Sequence, residues 1–166
     1  MQLDDPPMQF DYKPVNLTLG LLTIKLEWNN KTDLDLQVYC ACNSDISFKS
    51  RTCFKCRGTL DRDCNSNFVY AIENPSETVE FPEAINGLYQ IRVNSYKSIT
   101  VEPTPFKVCV TLAKRRLTYT YEGMVSKTGT LVIYEGPILE LFPELQRSEE
   151  TLNENFLMKE YDLSFS

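Results

Sequence analysis

The chain contains no histidine. That absence removes the Ser-His-Asp and Cys-His routes to an activated nucleophile, His-ligated metals and haem, and imidazole pH switches. No apolar run approaches the ~18 residues of a membrane-crossing helix, so no transmembrane span is expected. Glycine is scarce, six residues scattered singly, and no glycine-rich phosphate loop can be built from them. Clustered basic charge is missing too. The 17 Lys and Arg are outnumbered by 23 Asp and Glu, for a net charge of −6. The one dense basic run, Lys114-Arg115-Arg116, reads as a solvated hairpin turn rather than a phosphate-binding patch. Nucleic acid, an organic cofactor and a small-molecule substrate are therefore not expected, and neither is catalysis.

What is present suits a packed domain. Of 166 residues, 42% are hydrophobic and 11% aromatic, enough to bury a core and too many for a disordered chain. Charge divides unevenly. Residues 137–166 hold seven acids (Glu140, Glu144, Glu149, Glu150, Glu154, Glu160, Asp162) against two bases (Arg147, Lys159), a net of −5 out of the total −6. The body is near neutral and the tail is acidic. The start, Met1-Gln2-Leu3-Asp4-Asp5-Pro6-Pro7, has neither the basic-then-apolar order of a secretory signal nor the arginines of a mitochondrial presequence. An intracellular protein of unspecified compartment is expected.

Residues 1–18, with Pro6, Pro7 and Pro14, read as an extended N-terminal arm. From 19 to 136 the dominant period is two. Ile24, Leu26 and Trp28 alternate with Lys25 and Glu27; Leu34, Leu36 and Val38 with Asp35 and Gln37; Tyr89, Ile91 and Val93 with Gln90 and Arg92. The same holds for Phe106, Val108, Val110 and Leu112, for Leu117, Tyr119 and Tyr121, and for Leu131 and Ile133. Shorter candidates lie at 67–72 and 77–81. About eight short strands separated by Asn, Gly and Pro turns predict an all-β fold, an antiparallel β-sandwich. Past Pro137 the period changes. Leu141, Leu145, Leu152 and Phe156 mark a helical stripe, and Leu157, Tyr161 and Phe165 extend the apolar surface. Residues 137–166 thus read as an acidic, partly helical C-terminal arm. Its apolar face must cover either its own body or a partner, and partner docking is the expectation.

Six cysteines are present, four of them in the polar loop 40–64 as Cys40-x-Cys42, ten residues, then Cys53-x-x-Cys56. Residues i and i+2 of a strand point the same way, and a C-x-x-C turn presents two more sulfurs. If the segment folds back, four thiolates can surround a tetrahedral Zn²⁺. An even cysteine count also permits disulfides, which the lack of a secretory signal disfavours, and free thiols in turns are the third possibility. Asp33 and Asp35 share a strand face, and Asp61 and Asp63 can repeat the arrangement. Four hard oxygens brought together would suit Ca²⁺. Alternatively Asp33 caps the Asn29–Thr32 turn and the other carboxylates are wet, with Lys31 and Arg62 as counter-charges.

Three phrases in this order carry a resemblance: Trp28 followed by Thr32-Asp33-Leu34-Asp35-Leu36-Gln37-Val38; Gly58-Thr59-Leu60-Asp61-Arg62-Asp63-Cys64-Asn65; and Gly87-Leu88-Tyr89-Gln90-Ile91-Arg92-Val93-Asn94-Ser95-Tyr96. Over about residues 20–135 the chain resembles the YfaP-like family of bacterial β-sandwich domains. The resemblance implies a β-sandwich with a non-catalytic accessory role, and it places the aspartate phrases near one end of the sandwich. The chain departs from the family in its cysteine-rich segment, after Asn65 and in its acidic tail. Together these features predict a non-enzymatic structural or adaptor subunit of a larger protein assembly. A calcium- or ligand-binding recognition module that uses the aspartate-rich end is the alternative.

Overall fold

The computed structural model describes residues 18–145. Among these residues nine strands form: β1 (Leu22–Trp28), β2 (Asp33–Tyr39), β3 (Asp45–Ile46), β4 (Thr59–Leu60), β5 (Ser76–Phe81), β6 (Leu88–Lys97), β7 (Thr104–Leu112), β8 (Leu117–Val125) and β9 (Thr130–Pro137). They make two sheets, ordered β4-β5-β1-β7-β8 and β3-β2-β6-β9. Every pairing is antiparallel. The two sheets pack together, as the alternating periods require of strands with one apolar face. Ile24, Leu26 and Trp28 of β1 join Val108 and Val110 of β7 in one core with Leu36, Val38, Ile91 and Val93 of the other sheet. In-register neighbours across the seam, such as Trp28 beside Phe106 and Leu22 beside Phe81, hold β1 at the centre of its sheet. Among the described residues no helix is long and apolar enough to cross a membrane.

Several expectations need correction. The segment 67–72 is not a strand. Phe68–Tyr70 is a short 3₁₀ turn whose N-cap, Asn67, accepts the Val69 N–H, and Phe68, Val69 and Tyr70 all face outward. Asn and Ser crowd its start, and local capping there outcompetes a ladder. The two-residue strands β3 and β4 are too short to show a period. Beyond 136 the chain continues on the body. β9 runs on to Pro137, a 3₁₀ turn follows at Ile138–Leu141, and Ile138, Leu141, Phe142 and Leu145 are all buried in the core. Residues 137–145 therefore pack on the body, and a helical turn that begins at Pro143 leads out of the described residues. Leu141 and Leu145, assigned to partner docking, cover the chain's own sheets. The stripe's period is satisfied by an inward-facing turn just as well as by a helix on a partner. Leu152, Phe156, Leu157, Tyr161 and Phe165 lie outside the described residues, as does the N-terminal arm up to residue 17.

The turn at Lys114–Arg116 agrees with its sequence. Ala113–Arg115 is a 3₁₀ turn between β7 and β8, closed by Arg116 in the left-handed region.

Candidate metal centres

β2 leads directly into one cluster and begins at another. At its C-terminal end the chain turns through Cys40–Ser44 into β3. Asn43 adopts a positive φ, its N–H bonded to the Cys40 carbonyl at 2.7 Å, and the Cys40 N–H reaches the Ser44 carbonyl at 3.0 Å. After β3 a second tight turn, Cys53–Gly58, precedes β4. Arg57 takes a positive φ there, and the Cys53 N–H reaches the Gly58 carbonyl at 2.9 Å. Gly58 has no room for a side chain, because a Cβ would sit 2.3 Å from the Phe81 ring and 2.5 Å from Ile46. The knuckle is thereby pressed onto the core, beside the buried Tyr89.

These two turns bring Cys40, Cys42, Cys53 and Cys56 together, with all four sulfurs within 4.8 Å of one another. The individual separations are 3.1 Å (Cys40–Cys42), 3.2 Å (Cys42–Cys53), 3.9 Å (Cys40–Cys53) and 2.8 Å (Cys40–Cys56). No two are joined covalently. A metal–sulfur bond of about 2.3 Å puts tetrahedral ligand sulfurs about 3.8 Å apart, the scale of this cluster. Backbone N–H groups point at the sulfurs: those of Ser44 and Cys42 at Cys40, that of Cys56 at Cys53, that of Gly58 at Cys56. Such donors orient and stabilise metal-bound thiolates. Burial pushes the Cys40 and Cys56 thiols up, and the neighbouring cysteine sulfurs push Cys56 further. Cys53 is also pushed up by burial, but the Cys56 N–H and its polar neighbours draw it down to about 6. The set can give up all its protons only against a cation. Basic residues within 40–57, Lys49, Arg51, Lys55 and Arg57 against the single acid Asp45, offset the remaining negative charge of a four-thiolate site. The four cysteines can therefore hold a metal ion. The other two stand apart. Cys64 is buried beside Asn65, and Cys109 lies on the outer face of β7 against Thr120.

At the N-terminal end of β2, Asp33 and Asp35 meet Asp63, which follows β4. One carboxylate oxygen from each lies within 4.8 Å of the others. Asp61 does not join them. It accepts the Thr78 N–H at 2.8 Å and lies 3.9 Å from Arg62 on the surface. The expectation of wet carboxylates holds for Asp61, exposed beside Arg62, and fails for Asp35, which is 3% exposed. Nor does Asp33 cap the preceding turn, because Asn30 accepts the Thr32 N–H at 2.9 Å. Two further residues, not anticipated from sequence, organise this end. Asn65, at positive φ, donates to the carbonyls of Asn30, Thr32 and Ile72 and accepts the Ile72 N–H, pinning the loop after β4 to the β1–β2 turn. Glu77 of β5, fully buried, accepts the N–H of Leu36 at 2.9 Å and of Cys64 at 3.0 Å. For Glu77 the signal in the sequence is an acid in the inward phase of a strand.

Comparison with protein-family models, curated proteins and solved structures gives no match. A groove of about 690 Å³ is lined by Lys25, Glu27, Trp28, Pro105, Phe106 and Met124 among others and includes none of the clustered cysteines or aspartates.

Proposed function

We propose that this chain is a zinc-stabilised β-sandwich, a non-enzymatic structural or adaptor subunit of an intracellular protein assembly. The carrying observation is the set of four cysteine sulfurs within 4.8 Å. Four protein sulfurs around one ion leave no open position for water or substrate, which is the pattern of structural rather than catalytic zinc. Soft thiolates without imidazole or carboxylate partners favour zinc over calcium or magnesium. The three phrases that resemble YfaP-like domains fall on β2, across β4 and on β6, the strands that flank the two clusters, in keeping with an accessory role. The docking part of the proposal rests on Phe54. It lies between two of the cysteines and is 92% exposed. A metal-held knuckle would present its ring with little conformational freedom left to lose, the property of an interface anchor.

Metal analysis of the purified chain, prepared without chelator, tests the first half. One zinc per chain is expected, with loss of most of it in Cys53→Ser, and zinc far below one equivalent overturns the proposal. Size-exclusion chromatography of extract from the native source tests the second. The chain is expected to elute in a complex well above its own 19.2 kDa, and Phe54→Ser to shift it towards its own mass. Elution of the parent chain at its own mass overturns the adaptor role.

A further inference from the structure

The aspartates at the opposite end of β2 carry a separate inference. Asp33 and Asp35 come from one sheet and Asp63 from the loop beyond β4 of the other. Their carboxylates converge although like charges repel. On each of the three, one oxygen is both buried and without any hydrogen-bond partner, namely Asp33 Oδ1, Asp35 Oδ1 and Asp63 Oδ1. Unpaired buried polar atoms are costly and rare in native proteins, and three on neighbouring carboxylates call for a common partner. Among the described residues the one cation acting on Asp33 is Lys97, its exposed register partner on β6, and Arg62 is occupied on the surface with Asp61 and Ser76. We propose that Asp33, Asp35 and Asp63 form a calcium site that ties the start of β2 to the loop following β4.

The chemistry selects the ion. The donor set is all oxygen, which suits a hard cation. Calcium takes oxygens at about 2.4 Å in a flexible geometry, whereas magnesium at 2.0–2.1 Å demands a near-ideal octahedron and keeps several of its waters. Three carboxylates, some bidentate, supply half or more of the 6–8 oxygens that calcium takes, and water completes the rest. Burial, followed by the neighbouring Asp63 charge, raises the Asp33 carboxyl to about 7, and burial with Asp33 and Asp63 raises Asp35 to about 8. These shifts measure how poorly the site tolerates its own charge when nothing balances it. The site shares no ligand with the cysteine cluster and does not depend on the zinc assignment.

The test uses the whole chain, passed over chelating resin to remove calcium and checked afterwards for its zinc content. Calcium is then added and binding followed by equilibrium dialysis with ⁴⁵Ca²⁺ and by thermal melting. One calcium per chain and a higher melting temperature in millimolar CaCl₂ are expected. Asp35→Asn is expected to weaken binding at least about tenfold through loss of ligand charge. It should also melt higher than the parent in the absence of calcium, because the crowded trio has lost one of the acids whose ionisation it tolerates poorly. A ligand role requires this inversion, and a purely structural aspartate would only lose stability. Asp63→Asn, at the less buried position, gives the same reading if Asp35→Asn does not fold. No bound calcium at millimolar concentration overturns the proposal. So does an unchanged calcium response in both variants, or a response to magnesium alone.

Discussion

Glu77 shows how one inward-facing acid ties two layers together. Its two oxygens accept the N–H of Leu36 on β2 and the N–H of Cys64 in the loop after β4, donors that sheet pairing leaves free. Replacing it with an apolar residue would orphan both donors, at about 1–3 kcal/mol each. Its ionisation is the weak point. Burial, reinforced by the Asp35 and Asp63 charges, pushes its carboxyl up to about 9, while the two N–H bonds pull the other way. In the unfolded chain it ionises near 4.5. Below that pH both states are protonated and Glu77 exerts no penalty. Between 4.5 and 9 the unfolded chain has released the proton and the folded chain still holds it, so stability falls as pH rises through this window and levels off above it. Glu77→Gln removes that slope and adds a pH-independent loss, since an amide accepts at one end only. Urea titrations of parent and variant across pH 5–8.5 should show the parent's advantage shrinking with pH, by up to about 1.4 kcal/mol per unit. A constant difference would mean that Glu77 is ionised throughout.

Elements divide by how much of their placement is local. β1, β2, β6 and β7 are visible in the sequence because alternation over seven or more residues is a strong signal. β3 and β4 are two-residue pairings set by their neighbours and leave no trace. Phe68–Tyr70 carries β-forming residues, yet its side chains have no face to join. The Ile138–Leu145 segment is the instructive case. Leu141 and Leu145 announce an apolar stripe, but periodicity does not say which surface the stripe covers, and here it closes the chain's own core. Site residues behave alike. The cysteine pairs are legible from spacing, since each pair lies on one turn, whereas the correct third aspartate, Asp63 rather than Asp61, depends on the direction in which the chain leaves β4. Asn65 and Glu77 are legible only once both sheets are in place. The terminal segment yields a direct check. Phe142 is almost fully buried, its N–H bonded to the Leu139 carbonyl and its own carbonyl accepting from Leu145. Phe142→Ala should lower stability by about 3–5 kcal/mol, as for a large core side chain. A surface arm would lose almost nothing in the same melting experiment.

At the scale of the molecule the two clusters solve one problem. The sheets must be held together where β3-β2 and β4-β5 come to their margins, and the strands there are short: β3 and β4 have two residues each. Ladder hydrogen bonds alone cannot secure such elements. The cysteines sit where the chain leaves β2 and where it enters β4, so one ion would join the last turn of one sheet to the first strand of the other. The aspartates sit at the opposite ends of the same two strands. The sites are separated by the length of β2, about 20 Å at about 3.3 Å per residue. An ion bound in either cluster would close one side of the fold, and its binding energy would belong to folding. Removing zinc with a membrane-permeant chelator should therefore act locally before it acts globally. Amide exchange is expected to accelerate first at the Asn43, Cys53 and Leu60 N–H groups, which are bonded within the 40–60 segment. The β1–β7 ladder, farther from the margin, should keep its protection until the melting temperature itself has fallen. Uniform loss of protection across both sheets would mean that the cysteine cluster nucleates the whole fold. No change in exchange on chelation would mean that the four sulfurs are held by packing alone.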